Sequence, residues 1–427
     1  MAGQRPARLL RQREHSRQAS FLELFFDLAF IVTLMTMSAR LVRNLDWLNV
    51  GETAILFAAA WWVWVATAWS TDWYNPNEPI IRTLVLGVMF LGLLMAAAVP
   101  RAFGEHGLVF AGAYAAIHLG RAALLMPALR GHPVQRRTLL VAIWFGLSTI
   151  PWIVGALMSG TARLALWALA VVLDYASAAL GWPVPRLGRL PSAQLRVIGE
   201  HLSGRYQQVF IVALGEIFLV MGMAYSRDRL DPVETVMFAV TFVNAGLLLW
   251  MYFVPASSRL GGAIEENQPR GAVLAAYCHA IMIAGTVLTA VGAEVMITHP
   301  LGETRAAWSA AIIGGTGLFL TGRILMSLLL WARYTWRSIT GLLVLLASSP
   351  GLIRLPPLVV GIVTNVVLLA VVLAYTFRAE ARQARAEQRR AAERRATERP
   401  VEERQVTERW AEEHREERRA EERRHTT

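Results

Sequence analysis

The chain reads as an all-α integral membrane protein of about 12 transmembrane helices, arranged as two parallel six-helix repeats and followed by a charged C-terminal cytoplasmic helix. Three observations predict this. Of the 427 residues, 55% are hydrophobic and only 17% are charged, too few to clothe a soluble core of that size. Apolar runs recur with lengths near the ~20 residues needed to cross hydrocarbon. A run near the start, Phe21 to Arg40, also recurs in weaker form from Arg205 to Gly222. At constant offset, Ala29-Phe30-Ile31-Val32-Thr33-Leu34 falls on Val209-Phe210-Ile211-Val212-Ala213-Leu214.

Residues 1–20 form an Arg-rich N-terminal segment with Arg5, Arg8, Arg11, Arg13 and Arg17. The apolar run behind it contains Glu23 and Asp27 and lacks a small-residue cleavage site. It is therefore expected as a retained first helix, not a cleaved signal peptide. Hydropathy places spans at 21–41, 51–70, 80–99, 107–128, 138–158 and 162–181, the first repeat over 21–181. A cytoplasmic linker, 182–205, follows. The second repeat, 206–378, holds spans at 206–225, 233–254, 272–296, 306–331, 337–350 and 356–377. The shortest is 337–350, which ends at Ser348-Ser349-Pro350-Gly351 and is the one with the form of a re-entrant segment.

The net charge of +11 is carried by arginine alone, with no lysine anywhere. The arginines gather in short loops between apolar runs, which is the pattern of the positive-inside rule and not of a nucleic-acid face. With the N-terminus inside, inner loops hold Arg130, Arg136, Arg137, Arg186, Arg189, Arg196, Arg259, Arg270, Arg333 and Arg337. Outer loops hold Arg43, Arg101, Arg163, Arg227, Arg229, Arg305 and Arg354. The bias places both termini on the cytoplasmic side of the membrane, although the 71–79 loop holds Asp72 and Glu78 and no arginine. The single cysteine, Cys278, excludes an intrachain disulfide and a thiolate metal centre.

Further marks of duplication are Arg82/Leu86 against Arg270/Leu274, Gly120-Arg121 against Gly322-Arg323, and Pro151 against Pro350. An even number of spans per unit requires the units to share one orientation, related by an axis along the membrane normal. Residues 379–427 are mostly Arg, Glu and Ala, with Glu and Arg interleaved at helical spacing. They read as a solvated helix without a coiled-coil stripe, kinked or split at Pro400.

Charges inside apolar helices cost roughly 2.5–3.5 kcal/mol each on insertion scales, so each requires a reason. Glu216, mid-span, shares a helical stripe with His201 and Arg205. It is the candidate for a proton or cation relay, against the alternative of a packing residue hydrogen-bonded across helices. Glu23 and Asp27, at i,i+4, share one face. Two carboxylates so close cannot both ionise cheaply, which suits proton exchange; alternatively Glu23 caps the helix start. Arg121 and Arg323, in their matched Gly-Arg pairs, are expected partners for these carboxylates, with His118 one turn from Arg121. Asp174 and Glu294 are lesser candidates, and His279 reads first as a hydrogen-bonded core histidine. Glu265-Glu266-Asn267-Gln268-Pro269-Arg270 fits EExxxR but falls at a polar loop with no FxxxH after it. Gly314-Gly315-Thr316-Gly317 reads as helix packing rather than a phosphate loop. Trp69 and Trp73 are expected at a membrane interface, and Trp61, Trp62 and Trp64 against lipid or neighbouring helices.

Glu23-Leu24-Phe25-Phe26-Asp27-Leu28-Ala29-Phe30 resembles the ELFFDLVF signature of the bacterial low temperature requirement A family. Trp69-Ser70-Thr71-Asp72-Trp73-Tyr74 agrees, as do Arg82 with Met95 to Phe103, His201-Leu202-x-x-Arg205-Tyr206, Ala213-Leu214-Gly215-Glu216, Trp250-Met251-Tyr252-Phe253, and His279 with Gly285 and His299-Pro300. The resemblance runs from residue 20 to about 378 and leaves out the Arg/Glu tail. Val254 and Ile217 stand where the family has an acidic residue and a serine. The resemblance implies a multi-spanning bacterial inner-membrane protein and brings no established chemistry with it.

Taken together, the expected function is that of a secondary transporter or permease-like protein with a small-molecule or ion site between the halves. The alternative is a non-transporting sensor or scaffold of stress or low-temperature adaptation, acting through a cytoplasmic partner of the tail. No nucleophile–base pair or metal-ligand set marks an enzyme, a cofactor or a metal site. The candidate substrate- or ion-binding residues are Glu216, Asp27, Glu23, Arg121, Arg323, Arg205, His201 and His279, and the lipid bilayer is the one partner the composition demands.

Overall fold

In hydrocarbon no water satisfies the backbone, so an apolar chain of this kind must close its hydrogen bonds within each segment, as helix. The computed structural model describes residues 8–11, 19–226, 231–302 and 305–425. Arg5, Arg13, Arg17, Arg227 and Arg229 lie outside them, as does the side chain of Val254. Among the described residues no strand forms. Twelve long helices follow one another: α1 Phe21–Arg43, α2 Trp47–Trp73, α3 Pro79–Ala98, α4 Gly107–Ala128, α5 Gln135–Leu157, α6 Gly160–Ala179, α7 Gly199–Tyr225, α8 Pro232–Glu266, α9 Arg270–Thr298, α10 Ala306–Trp331, α11 Trp336–Leu352 and α12 Pro357–His425. Eleven carry a stretch long and apolar enough to cross a membrane. The exception is α11, whose 17 residues match the segment that hydropathy marks as shortest.

The helix starts are chemically specified. Ser20 and Glu23 form a capping box at α1, the Ser20 amide donating to Glu23 Oε2 at 2.7 Å. Asp46 accepts the Asn49 amide at 2.8 Å to cap α2, a bond that holds this exposed carboxyl below the usual carboxylate range. Pro79 and Pro232 open α3 and α8, where the missing N–H has no helical partner to lose.

Two boundaries differ from expectation. α2 does not end at residue 70 but continues to Trp73, so Asp72 is a helix residue and not a loop acid. Helix also continues through Pro400, so the tail is not split there. Residues 1–372 form one compact unit and 373–427 a second.

Within the first unit, α2 and α9 are the inner helices, packed against helices of both halves. Trp61, Trp62 and Trp64 of α2 are buried against neighbouring helices. The Trp61 indole donates to the Ala276 carbonyl of α9 at 3.0 Å. Trp69, expected at a membrane interface, is buried as well. α9 and α10 touch backbone to backbone. A Cβ at Gly285 would stand 2.7 Å from the Phe319 nitrogen, and one at Gly315 2.6 Å from the Thr289 nitrogen, which is the close packing that the Gly314–Gly317 run predicts. The outward faces expose Phe90, Ile150, Val172 and Val366, apolar surface of the kind a bilayer covers.

Candidate functional site

The i,i+4 pair Glu23/Asp27 on α1 and the i,i+4 pair His201/Arg205 on α7 each present two charges on one helix face. Where α1 packs on α7 the two faces meet. Arg205 Nη2 donates to Asp27 Oδ1 at 2.6 Å, and Nη1 lies 3.5 Å from Glu23 Oε1. His201 Nε2 is 3.1 Å from the same Glu23 oxygen, and Nδ1 is 2.8 Å from Asp72 Oδ1 at the end of α2. The other Asp72 oxygen accepts the Ile198 amide at 2.9 Å, ahead of α7. Trp64 Nε1 donates to Asp27 Oδ1 at 2.8 Å. From the N-terminal segment, Arg11 Nη1 reaches the Thr71 carbonyl at 2.7 Å, His201 Nε2 at 2.9 Å and Glu23 Oε1 at 3.5 Å. Arg11 is therefore not a solvated loop charge.

All these side chains are at most 3% exposed. The network holds three carboxylates and two guanidiniums, so it is neutral when His201 carries a proton on both nitrogens. His201 Nδ1 faces only an acceptor and carries a proton. Nε2 faces an N–H donor, Arg11, and a carboxylate, Glu23, which make opposite demands on it. Nε2 donates to Glu23 when it carries a proton and accepts from Arg11 when it does not, while Asp27 Oδ2 has no donor among the described residues.

Glu216 stands apart. It lies eleven residues beyond Arg205, about 16 Å along α7 at 1.5 Å per residue. It is fully buried, and neither carboxylate oxygen has a hydrogen-bond partner among the described residues. Ser38 of α1 is the polar side chain beside it, but that hydroxyl donates to the Met35 carbonyl at 3.1 Å. The stripe shared with His201 and Arg205 is real as helix geometry but does not become one site.

Arg121, expected to pair with a carboxylate, does not do so among the described residues. Arg121 donates to Thr67 Oγ1 at 3.0 Å and forms no ion pair among the described residues. Thr67 of α2 gives it a hydroxyl instead. Arg323 is buried near Tyr252 and His279. His279 is a core histidine, as its position suggests. Its Nε2 meets the Tyr252 hydroxyl at 3.0 Å, its Nδ1 the Ala275 carbonyl at 2.7 Å, and its ring stacks on Tyr206 at 4.1 Å. Asp174 accepts from the Tyr114 hydroxyl at 2.6 Å. No group of three or more His, Cys, Asp or Glu suited to a metal occurs among the described residues.

Two cavities lie near this region. The larger, about 650 Å³, is lined by residues of α2, the end of α6, the 182–198 linker and the start of α9, with Arg189, Gln268, Arg270 and Tyr277 among them. A smaller one, about 50 Å³, lies among α2, α4 and α5, and Trp69, Trp73 and Trp182 line both.

Sequence reasoning missed Arg11 and Asp72 as members of the network. Asp72 had a signal, since it stands inside Trp69-Ser70-Thr71-Asp72-Trp73-Tyr74, and an acid there opposes the positive-inside trend. Arg11 had none, being one of several arginines in the same segment.

A bundle of long apolar helices with a buried ionic network among three of them defines a multi-pass membrane protein. The chain matches the family Bacterial low temperature requirement A protein (LtrA) over residues 18–373 and belongs to that family. It is also similar to a curated protein of Rhizobium meliloti (strain 1021), named Uncharacterized protein RA0937, with 31% identity over 370 residues covering 85% of this chain and 90% of the relative. No solved structure matches.

Proposed function

We propose that the protein is a permease-like carrier in which a small molecule or ion moves along the seam between two six-helix halves. The observation that carries this reading is Glu216, a buried carboxyl with no hydrogen-bond partner among the described residues, on α7 where it packs against α1. A permanently unsatisfied charge is costly, and one left so at a seam is a place for a cation or proton to bind and leave.

Two further observations support it. Helix contacts of the first half have counterparts in the second: α1–α3 with α7–α9, α3–α4 with α9–α10, and α4–α5 with α10–α11. That correspondence fits a parallel repeat. The 650 Å³ cavity takes its lining from both halves, as a vestibule to the seam would. In this reading the network around His201 holds α1, α2 and α7 together at that end, with His201 as the group through which protonation acts on the seam.

A thermal-shift screen of purified protein against monovalent and divalent cations and small cationic metabolites tests this. A ligand at one hundred times its dissociation constant stabilises by about 2.7 kcal/mol. The expected result is at least one stabilising cation whose effect disappears in Glu216→Gln. If none stabilises the wild type, the non-transporting sensor or scaffold is the better reading.

A further inference from the structure

Buried arginines in this protein are neutralised in two ways, and a third set is not neutralised at all. Arg205 meets carboxylates. Arg163 is ringed by the carbonyls of Ala102, Gly104, Gly155, Ala156 and Met158 at 2.8–3.2 Å, which are oriented dipoles at a helix end. Arg121 and Arg137 have neither arrangement. They are 9% and 5% exposed, and they line one cavity of about 50 Å³ whose lining contains no carboxylate. Arg121 spends one nitrogen on Thr67 Oγ1, and its Nε has no partner. Arg137 spends one on the Gln194 carbonyl at 2.9 Å, and its Nε and Nη2 have none. The Arg137 guanidinium lies 4.1 Å from the Trp73 ring centroid, which fixes its plane.

The rest of the lining is complementary to the same kind of guest. His118, 2% exposed, has no hydrogen-bond partner on either ring nitrogen. The indole N–H groups of Trp62 and Trp182 also lack acceptors among the described residues. A cavity walled by aromatic rings, with unspent donors from two cations and no acid, is a vacancy for negative charge. Its size sets the limit. One water needs ~10–15 Å³ of such volume, so 50 Å³ admits a small ion and nothing as large as a nucleotide. The paired Nε and Nη2 edge of Arg137 matches two oxygens of a planar oxyanion, which a point charge would not.

We infer that the cavity among α2, α4 and α5 is a binding site for a small monovalent anion, held between Arg121 and Arg137. The class includes nitrate, bicarbonate and short carboxylates. The tryptophans that line both cavities, Trp69, Trp73 and Trp182, separate this chamber from the larger vestibule, which is the route by which the anion arrives. The site stands whether or not Glu216 binds a cation.

The test is thermal unfolding of the full-length purified protein in sodium nitrate exchanged against sodium gluconate at constant ionic strength, with sodium chloride as a second probe. The wild type should be stabilised saturably by nitrate. The half-saturating concentration should rise about tenfold or more in Arg121→Gln and in Arg137→Gln, the loss expected for a hydrogen bond to a charged group. It should not move in Arg136→Gln, one residue away and outside the cavity lining, nor in Glu216→Gln. Ala142→Leu keeps both arginines and fills part of the chamber. It too should abolish saturation, and it reads the site if an arginine variant does not fold. No saturable response to nitrate or chloride in the wild type overturns the assignment. So does a response that survives Arg121→Gln, Arg137→Gln and Ala142→Leu but is lost in Arg189→Gln or Arg270→Gln, which would put the anion in the vestibule.

Discussion

Two stretches of α7 carry ionisable groups into the bundle, and they are treated in opposite ways. At its start, His201 and Arg205 are met by Glu23, Asp27 and Asp72, so that each charge faces one of opposite sign within 3.5 Å. Three turns further on, Glu216 is buried just as deeply and has no hydrogen-bond or ion-pair partner among the described residues, the Ser38 hydroxyl beside it being spent on the Met35 carbonyl. Both stretches pack on α1, so burial alone does not separate them. What separates them is whether the neighbouring helix supplies the counter-charge. A buried charge that is matched is a strut. One that is not matched keeps its interaction free energy for something from outside the chain.

The largest way to break this contrast is at the strut. Arg205→Ala leaves Asp27 and Glu23 buried against each other. Loss of one partner of a buried pair costs about 3–5 kcal/mol, so the unfolding transition in detergent should fall accordingly. An Arg205→Ala protein as stable as wild type would mean that the network holds nothing together. A smaller perturbation removes one hydrogen bond and no charge. Trp64→Phe deletes the indole N–H that Asp27 accepts at 2.8 Å and should cost about 1.5–3 kcal/mol, the range for bonds to charged groups. The smallest effect is expected at Glu216→Gln, which preserves shape and replaces a carboxyl that no donor was serving. Stability should stay within about 0.5 kcal/mol of wild type, or rise. A loss as large as that of Arg205→Ala would show Glu216 to be a second strut and erase the distinction.

Much of this architecture was legible before any coordinates. Hydrophobic run lengths located all twelve helices, because a membrane leaves a chain one way to satisfy its backbone. Helical spacing placed Glu23 with Asp27, and His201 with Arg205, on common faces. Spacing could not say that those two faces meet, since that depends on how α1 packs on α7 across most of the first half of the chain. The same limit explains the arginines. Gly120-Arg121 and Gly322-Arg323 look like one motif used twice, yet Cβ at Gly322 would meet the Cys278 carbonyl at 2.8 Å while Gly120 has open space around it. Equal sequence therefore sits in unequal packing, and Arg121 finds a hydroxyl and, among the described residues, no carboxylate. Asp72 was misplaced because hydropathy ends a span where polarity begins. α2 instead carries its acid on to a capped helix end, three residues past the last apolar turn.

The backbone contact of α9 with α10 bears on how such a molecule can move. Helices that meet through long side chains slip past one another by changing rotamers, a soft and local event. Helices that meet through glycine have no such bearing surface, so displacing one against the other forfeits main-chain contact along the whole shared length. α9 and α10 are therefore a single stiff spar. Because α9 also touches α1, α2, α6, α7 and α8, that spar is the fixed frame against which any opening of the molecule would be measured.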